Sequence, residues 1–303
     1  MGDSRGKCEN LILDFTHVYC DEYIKDIDRF KYIDCSDIEE TDMYCSKEAN
    51  KRIWEKIKPY GIQGIHYIDS GNYHYISKII TDHIDEPFGL VMYDHHTDMQ
   101  IPMVPGMMSC GDWAGQALSQ NKNLRQLVMV GPPEKDIDQT LESYKCEHNV
   151  QETECDDPYD ISRDISSGRL LIFSAEDLHG GLLENKLKLI RTDLPLYISI
   201  DKDVLGTEDC ETNWSQGNMS IGGLERLLGV FLGGQGEERN SDACRNDERY
   251  AGDIRHSRIL GVDICGEIQT DIPVPEYLEA EEKNEKVNIE LFRFISEHVK
   301  KFR

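Results

Sequence analysis

The sequence predicts an α/β fold, a three-layer α/β/α sandwich with a mainly parallel central sheet. Short apolar runs recur along the 303 residues, mostly separated by more than twenty residues, which is the spacing of parallel strands joined by helical crossovers. Amphipathic segments of helical period lie between them. Histidine and acidic residues recur directly after several of the runs, where the strands of an open parallel sheet meet a ligand crevice.

In chain order, strands are expected at residues 11–15, 62–68, 89–93, 126–130, 170–173, 196–200 and 259–264. Helices are expected at 49–57, 75–81, 112–120 and 222–232. The segment 275–303 begins acidic and ends Lys300-Lys301-Phe302-Arg303, matching the helix dipole, with Phe292, Ile295, Val299 and Phe302 at helical spacing. It reads as a packing helix. Gly233-Gly234-Gln235-Gly236 follows a helical pattern and not a strand, so it reads as a helix end and not a phosphate cradle. It opens an acidic insertion loop at about 233–255 within one domain covering residues 1–303.

Thirty-three basic against fifty-eight acidic residues give a net charge of -25. That balance argues against nucleic acid or an anionic membrane surface as partner. Much of the excess falls in 147–160 and 237–248, read as solvated surface loops. The ten cysteines form no C-x-x-C pair, and the chain shows neither a secretory apolar core nor a run long enough to span a bilayer. Reduced thiols in a cytoplasmic protein are expected.

The chemistry lies at the strand ends. Asp94-His95-His96-Thr97-Asp98 follows the apolar run Gly89-Leu90-Val91-Met92-Tyr93, and in extended backbone Asp94, His96 and Asp98 point the same way. Leu196-Tyr197-Ile198-Ser199-Ile200 ends in Asp201-Lys202-Asp203, again carboxylates at alternate positions. Ile68 leads to Asp69-Ser70-Gly71-Asn72-Tyr73-His74, and Ile264 to Cys265-Gly266-Glu267. Two histidines and four aspartates in the first three segments are too many ligands for one small cation, which suggests two ions sharing bridging carboxylates. Oxygen-rich ligands without thiolate favour manganese over zinc, with other divalent ions able to bind in vitro.

These residues resemble the arginase and agmatinase ureohydrolases, which share their fold with the histone-deacetylase-like enzymes. Asp94-His95-His96-Thr97-Asp98 is similar to the family's D-A-H-x-D, Ser199-Ile200-Asp201-Lys202-Asp203 to its S-x-D-x-D, and Gly71-Asn72-Tyr73-His74 stands in the place of its G-G-D-H. The resemblance runs from about Ile62 to Glu267. It implies one Mn2+ held by His74, Asp94, Asp98 and Asp201, and a second held by Asp94, His96, Asp201 and Asp203. It further implies that Asp98 accepts a hydrogen bond from a hydroxide shared by the two ions, that Gln100 contacts the substrate, and that Glu267 orients a cationic substrate head. The implied reaction is hydrolysis of a small guanidino or amidino compound, with urea released from a guanidino compound. Self-association as a homo-oligomer is an expectation by analogy alone.

Three departures bear on the substrate. Glu267 stands four residues after Asp263, where the family glutamate stands three after its aspartate. The loop Pro105-Gly106-Met107-Met108-Ser109-Cys110-Gly111-Asp112-Trp113 lacks the arginase proton-shuttle histidine, although Ser109 and Cys110 are placed to line the site. Val204-Leu205-Gly206 follows Asp203 in place of a Gly/Pro-rich loop, so that Asn213, Trp214 and Gln216 are candidates for a different substrate wall. His95 is expected to face away from the ions, and His179 to sit in a loop or at a helix start. Two alternatives stand beside the ureohydrolase reading. One is a deacetylase-like amide hydrolase with a single zinc on Asp94, His96 and Asp201; the other is a catalytically silent, metal-stabilised binding protein.

Overall fold

The structure, a computed structural model, describes residues 8–19, 29–150, 161–180, 183–233, 258–269 and 272–302. Each expected apolar run forms a strand. In chain order the strands are β1 (Asn10–Asp14), β2 (Phe30–Asp34), β3 (Tyr44–Cys45), β4 (Ile65–Ile68), β5 (Phe88–Tyr93), β6 (Met108–Ser109), β7 (Leu124–Val130), β8 (Leu170–Phe173), β9 (Leu196–Asp201) and β10 (Ile259–Cys265). The helices are α1 (Lys47–Ile57), α2 (Ile76–Thr81), α3 (Trp113–Gln120), α4 (Glu134–Val150), α5 (Ile161–Ser167), α6 (Ala175–Gly180), α7 (Leu183–Leu187), α8 (Ile221–Leu232) and α9 (Val274–His298). Strand β3 pairs only with β6, in a two-residue antiparallel ribbon.

Eight strands form one sheet in the order β2-β1-β4-β10-β9-β5-β7-β8, and every pairing in it is parallel. The strand absent from the sequence reading is β2. Its residues Phe-Lys-Tyr-Ile-Asp bury only Phe30 and Ile33 and leave Lys31, Tyr32 and Asp34 exposed, as an edge strand can, so they form no continuous apolar run. The run at 62–68 begins pairing late: Gln63 makes an isolated bridge to Cys8 before β4 starts. Helix α4 takes in residues 147–150, the start of the acidic stretch expected to be loop, and α4 to α7 join the expected helices. His179 lies in α6. Beyond Gly233 the expected insertion at 233–255 lies outside the described residues.

Alternation along the central strands builds two cores. Leu11, Leu13, Leu90, Met92, Leu127 and Met129 face α1, α2 and α3, whose Ile53, Ile76, Ile80 and Trp113 are fully enclosed. Ile12, Val91, Tyr93, Val128 and Val130 face the other way, toward Leu224, Leu228 and Phe231 of α8 and Leu291 and Ile295 of α9. Burying each such aliphatic side chain contributes about 1.5–3 kcal/mol. The result is three layers with the sheet between helices. Caps fit the same reading: Ser46 accepts from Ala49 N at 3.1 Å to open α1, and Ser220 accepts from Gly223 N at 3.2 Å to open α8. Among the described residues no helix is long and apolar enough to cross a membrane.

The sheet order decides where chemistry collects. From β4 the chain skips two sheet positions to reach β5, and β9 and β10 later fill the gap. The carboxyl ends of β4, β10, β9 and β5 therefore stand side by side, and these are the ends followed by the acidic and histidine segments. Gly131, just after β7, lets the neighbouring loops close. Its φ is +119°, and a Cβ there would lie 2.6 Å from the Asp94 carbonyl oxygen and 2.6 Å from Val204 Cγ2. Gly131→Ala is expected to destabilise the protein by more than about 1 kcal/mol. Chemical denaturation at equilibrium checks this.

Candidate metal centre

Three segments bring their side chains to one point. The 3-10 turn Gly71–Tyr73 after β4 delivers His74, the loop after β5 delivers Asp94, His96 and Asp98, and β9 with the 3-10 turn Lys202–Val204 delivers Asp201 and Asp203. His74 Nδ1 lies 3.1 Å from Asp94 Oδ2, 3.0 Å from Asp98 Oδ2 and 3.6 Å from Asp201 Oδ2. His96 Nδ1 lies 2.8 Å from Asp203 Oδ2 and 3.5 Å from Asp94 Oδ1. Asp94 thus stands between the two imidazoles. The sequence-derived ligand residues are gathered as two overlapping sets, His74-Asp94-Asp98 and Asp94-His96-Asp203, with Asp201 beside His74.

The backbone is shaped for this. Asp98 adopts φ +47°, a left-handed conformation uncommon outside glycine, and its carbonyl accepts from Ala114 N at 3.0 Å at the start of α3. Asp98 Oδ2 also accepts from Trp113 Nε1 at 2.6 Å. His96 N donates to Asp94 Oδ1 at 2.6 Å, His95 N to Asp203 Oδ1 at 2.9 Å, and Asp203 N to Asp201 Oδ1 at 3.0 Å. Main-chain donors occupy one oxygen of each of these carboxylates and leave the other turned inward. On the outer side of His74, Nε2 meets Ser199 Oγ at 2.9 Å, Ser199 Oγ meets Ser77 Oγ at 3.0 Å, and Ser77 donates to Asp263 Oδ1 at 3.0 Å. That chain fixes the ring so that Nδ1 faces the carboxylates.

The inward-facing atoms fit a hard divalent cation. His74 Nδ1 and Asp94 Oδ2 are buried and neither has a hydrogen-bond partner, despite standing 3.1 Å apart. Their contact has the length of an ion pair and not the direction of a hydrogen bond, so neither atom is committed to the other. Cys265, next to Asp201, offers a thiol and not a thiolate: its Sγ lies 3.2 Å from Asp201 Oδ2 as a donor, and burial pushes its pKa well up. The donor set is mainly carboxylate and imidazole, with Cys265 grouped beside His74 and Asp201, and its oxygen-rich part suits manganese and similar ions.

Charge shifts follow from crowding. Burial alone would lower the pKa of His74, but Asp94 and Asp98 outweigh it and raise it well above the ordinary imidazole value. Burial works the same way on His96, and Asp203 and Asp94 push it up to about 12. Burial would raise Asp94, yet the two imidazoles prevail and hold it below the usual carboxylate range. Asp98 is pushed up to about 7 by burial and by the charge of Asp94. Burial and neighbouring carboxylates also raise Asp201 and Asp203.

A cavity of about 410 Å³ opens over these groups. It reaches solvent on the His96 side, where 28% of that side chain is exposed against 1% of His74. Gln100, Ser109, Cys110 and Trp214 line it, as do Asp136, Gln139, Thr140 and Ser143 of α4, a wall the sequence reading did not contain. Thr140 ties α4 to the site loop through Thr97, at 2.9 Å between hydroxyls. Burial and the nearby carboxylates Asp98 and Asp201 push the Cys110 thiol pKa well up.

Two residues expected to contact substrate lie outside the cavity lining. Glu267 does not line the cavity; its carboxylate is paired with Lys202 and accepts from Asn288 Nδ2 at 2.8 Å and Asn284 Nδ2 at 3.1 Å, beneath the site. Gly266 precedes it in a tight passage, where φ is +97° and a Cβ would lie 2.6 Å from Asp201 Oδ1. Asn213 is held by Asn72 Oδ1 at 3.1 Å, outside the cavity lining, while its neighbour Trp214 forms the wall and packs edge-on against His96 at 5.8 Å. Gln216 braces the same loop from behind, donating to the carbonyls of Leu205 and Cys210 at 3.2 Å. Ser199 and Trp113, which hold His74 and Asp98, were not singled out as site residues. Ser199 had a readable signal, lying two residues before Asp201 on the same strand face; Trp113 had none.

The fold has solved counterparts. Formimidoylglutamase from Bacillus subtilis superposes with a TM-score of 0.57 at 10% identity, covering 99% of this chain and 89% of that one. The chain has the ureohydrolase fold. The same fold appears in agmatine ureohydrolase of Thermoplasma volcanium, with a TM-score of 0.54 at 12% identity and coverage of 99% and 94%. It appears again in Trypanosoma cruzi formiminoglutamase with Mn2+, with a TM-score of 0.52 at 11% identity and coverage of 96% and 92%. In sequence, an uncharacterized protein of Thermotoga maritima is 29% identical over 231 residues, or 75% of this chain. The match spans 66% of that relative, just under two thirds of its length. No family model matches the chain.

Two measurements test the centre. Metal ligation needs unprotonated imidazole, whereas the neighbouring carboxylates favour the protonated form of His74 and His96, so a cation must displace protons to bind. Mn2+ uptake is therefore expected to release protons and to tighten as pH rises between about pH 6 and pH 8, read by calorimetry in buffers of different ionisation enthalpy. Ser199→Ala, which frees the outer nitrogen of His74, is expected to weaken Mn2+ binding by about 10–100-fold.

Proposed function

We propose that this ureohydrolase-fold protein is a manganese-dependent hydrolase of non-peptide C–N bonds, acting on a small guanidino or amidino compound and releasing urea from a guanidino substrate. The observation that carries the reading is the buried cluster in which His74 Nδ1 and Asp94 Oδ2 face each other without hydrogen-bond partners. His74, Asp94, Asp98 and Asp201 would hold one ion, and Asp94, His96, Asp201 and Asp203 the other. When bound, such a pair supplies Lewis acidity and lowers the pKa of a water toward neutrality.

The chain's own residues account for the other steps. Asp98, its Oδ2 fixed by the indole of Trp113, takes the proton given up by the attacking water and returns it to the departing nitrogen. Gln100, Ser109 and Thr140 offer neutral hydrogen-bonding groups to a planar amidine, and Trp214 walls the cavity beside His96. With Glu267 committed to Lys202, orientation of the substrate head falls to these neutral groups and to Asp136, the carboxylate α4 adds to the lining. The formimino and guanidino hydrolases among the fold's solved members support a C–N hydrolase over a deacetylase with one ion. The gathering of His74 and Asp98 on one side of Asp94 and of Asp203 and His96 on the other supports two ions.

The test is release of urea and ammonia by the Mn2+-loaded protein across guanidino, amidino and formimino compounds. Turnover of at least one compound is expected, falling by at least about a thousandfold in Asp201→Asn, because that change removes a ligand proposed to bridge both ions. A protein that binds two ions and turns over none of the panel would overturn the reading.

A further inference from the structure

Lys202 stands between two proposed metal ligands, Asp201 and Asp203, and is fully buried. At the start of the 3-10 turn its side chain points away from the site, toward α9. There Nζ pairs with Glu267 Oε1 and donates to Asn288 Oδ1 at 3.0 Å. Asn288 Nδ2 donates back to Glu267 Oε1 at 2.8 Å, and Asn284 Nδ2 to Glu267 Oε2 at 3.1 Å. Asn284 is itself seated on the Glu211 backbone, accepting from its N–H at 2.9 Å and donating to its carbonyl at 2.8 Å. Glu267 reaches Lys202 through the tight passage at Gly266, where φ is +97° and a Cβ would lie 2.6 Å from Asp201 Oδ1 and 2.9 Å from Lys202 N.

An ammonium in this position has other carboxylates within one residue on either side. Without a counter-ion beneath the site it would be drawn to Asp201 or Asp203, because an unpaired buried charge is strongly disfavoured. There it would compete with any cation those aspartates hold. We propose that Glu267 is the counter-ion of Lys202, and that this positioning pair keeps the ammonium off Asp201 and Asp203 so that both remain open to metal. The inference rests on the reading of Asp201 and Asp203 as metal ligands. It gives Glu267 a role in charge balance under the site in place of substrate contact.

The experiment is Mn2+ titration followed by the paramagnetic resonance of the free ion, on the wild type, Lys202→Met, Glu267→Gln and the double variant, with thermal denaturation of the metal-free proteins alongside. Glu267→Gln is expected to bind Mn2+ at least about tenfold more weakly, since it leaves a positive charge unbalanced beside the cations. Lys202→Met is expected to bind at least as tightly as the wild type, although it lowers thermal stability. The double variant should return to within about threefold of wild-type affinity and recover much of the lost stability, as replaced buried ion pairs often do.

Equal loss of affinity in both single variants, tracking their loss of stability, would mean a purely structural pair and overturn the proposal. Should Glu267→Gln fail to fold, weaker binding by Lys202→Met than by the wild type overturns it as well. A wild type that binds Mn2+ while Glu267→Gln binds equally well sinks this inference alone; a wild type that binds none sinks the proposed function with it.

Discussion

Crowding of negative charge is the constraint around which the site is organised. Asp94, Asp98, Asp201 and Asp203 are all buried and stand within reach of two imidazoles, which would repel the fold apart if nothing met their charge. Part of the compensation is internal: main-chain N–H groups of His95, His96 and Asp203, and the indole of Trp113, each take a carboxylate oxygen. These donors also aim the remaining oxygens. Asp94 Oδ1 is occupied by a backbone donor while Oδ2 is left facing His74, so the same bonds that lower the cost of burial define where a cation fits.

The sheet makes this crowding reachable. Parallel strands all present their carboxyl ends on one edge, and the order β4-β10-β9-β5 places four such ends next to one another although their segments are far apart in sequence. Local backbone then adjusts the aim. Asp98 accepts a left-handed φ of +47°, a conformation disfavoured by about 1–3 kcal/mol in ordinary residues, and anchors α3 through its carbonyl. The helix that Asp98 anchors carries Trp113, which returns a hydrogen bond to the same residue. The loop geometry and the α3 packing thus support each other.

Beneath the site, the Lys202–Glu267 pair links the metal-ligand turn to α9, whose Asn284 and Asn288 complete the hydrogen bonding around both charges. A helix read from the sequence as a packing element carries polar residues on its buried face for this reason. Its Leu291 and Ile295 secure it to the sheet, and Asn284 and Asn288, both fully enclosed, meet the charges midway along it. Burial of such a pair is weak grounds for stability, since desolvation consumes most of the attraction. Its position between two site aspartates gives it a different significance.

The sequence alone determined the strands whose both faces are apolar and the alternate carboxylates that follow them, because buried parallel strands are continuous hydrophobic runs and side-chain direction in extended chain repeats every second residue. Asp94, His96, Asp98, Asp201 and Asp203 were legible on that ground, and His74 through the resemblance of its segment. The edge strand β2 was not, since its exposed lysine and tyrosine hide the pattern. Nor was the α4 wall of the cavity, whose helix begins with a solvated acidic turn. Only the tertiary structure decided the partners: which oxygen faces inward, that Ser199 and Trp113 hold the ligands, and that Trp214 and not Asn213 lines the cavity. Glu267 shows why. Its carboxylate meets Lys202 and not the cavity, and that pairing depends on an approach of β9 to β10 that no spacing along the chain records.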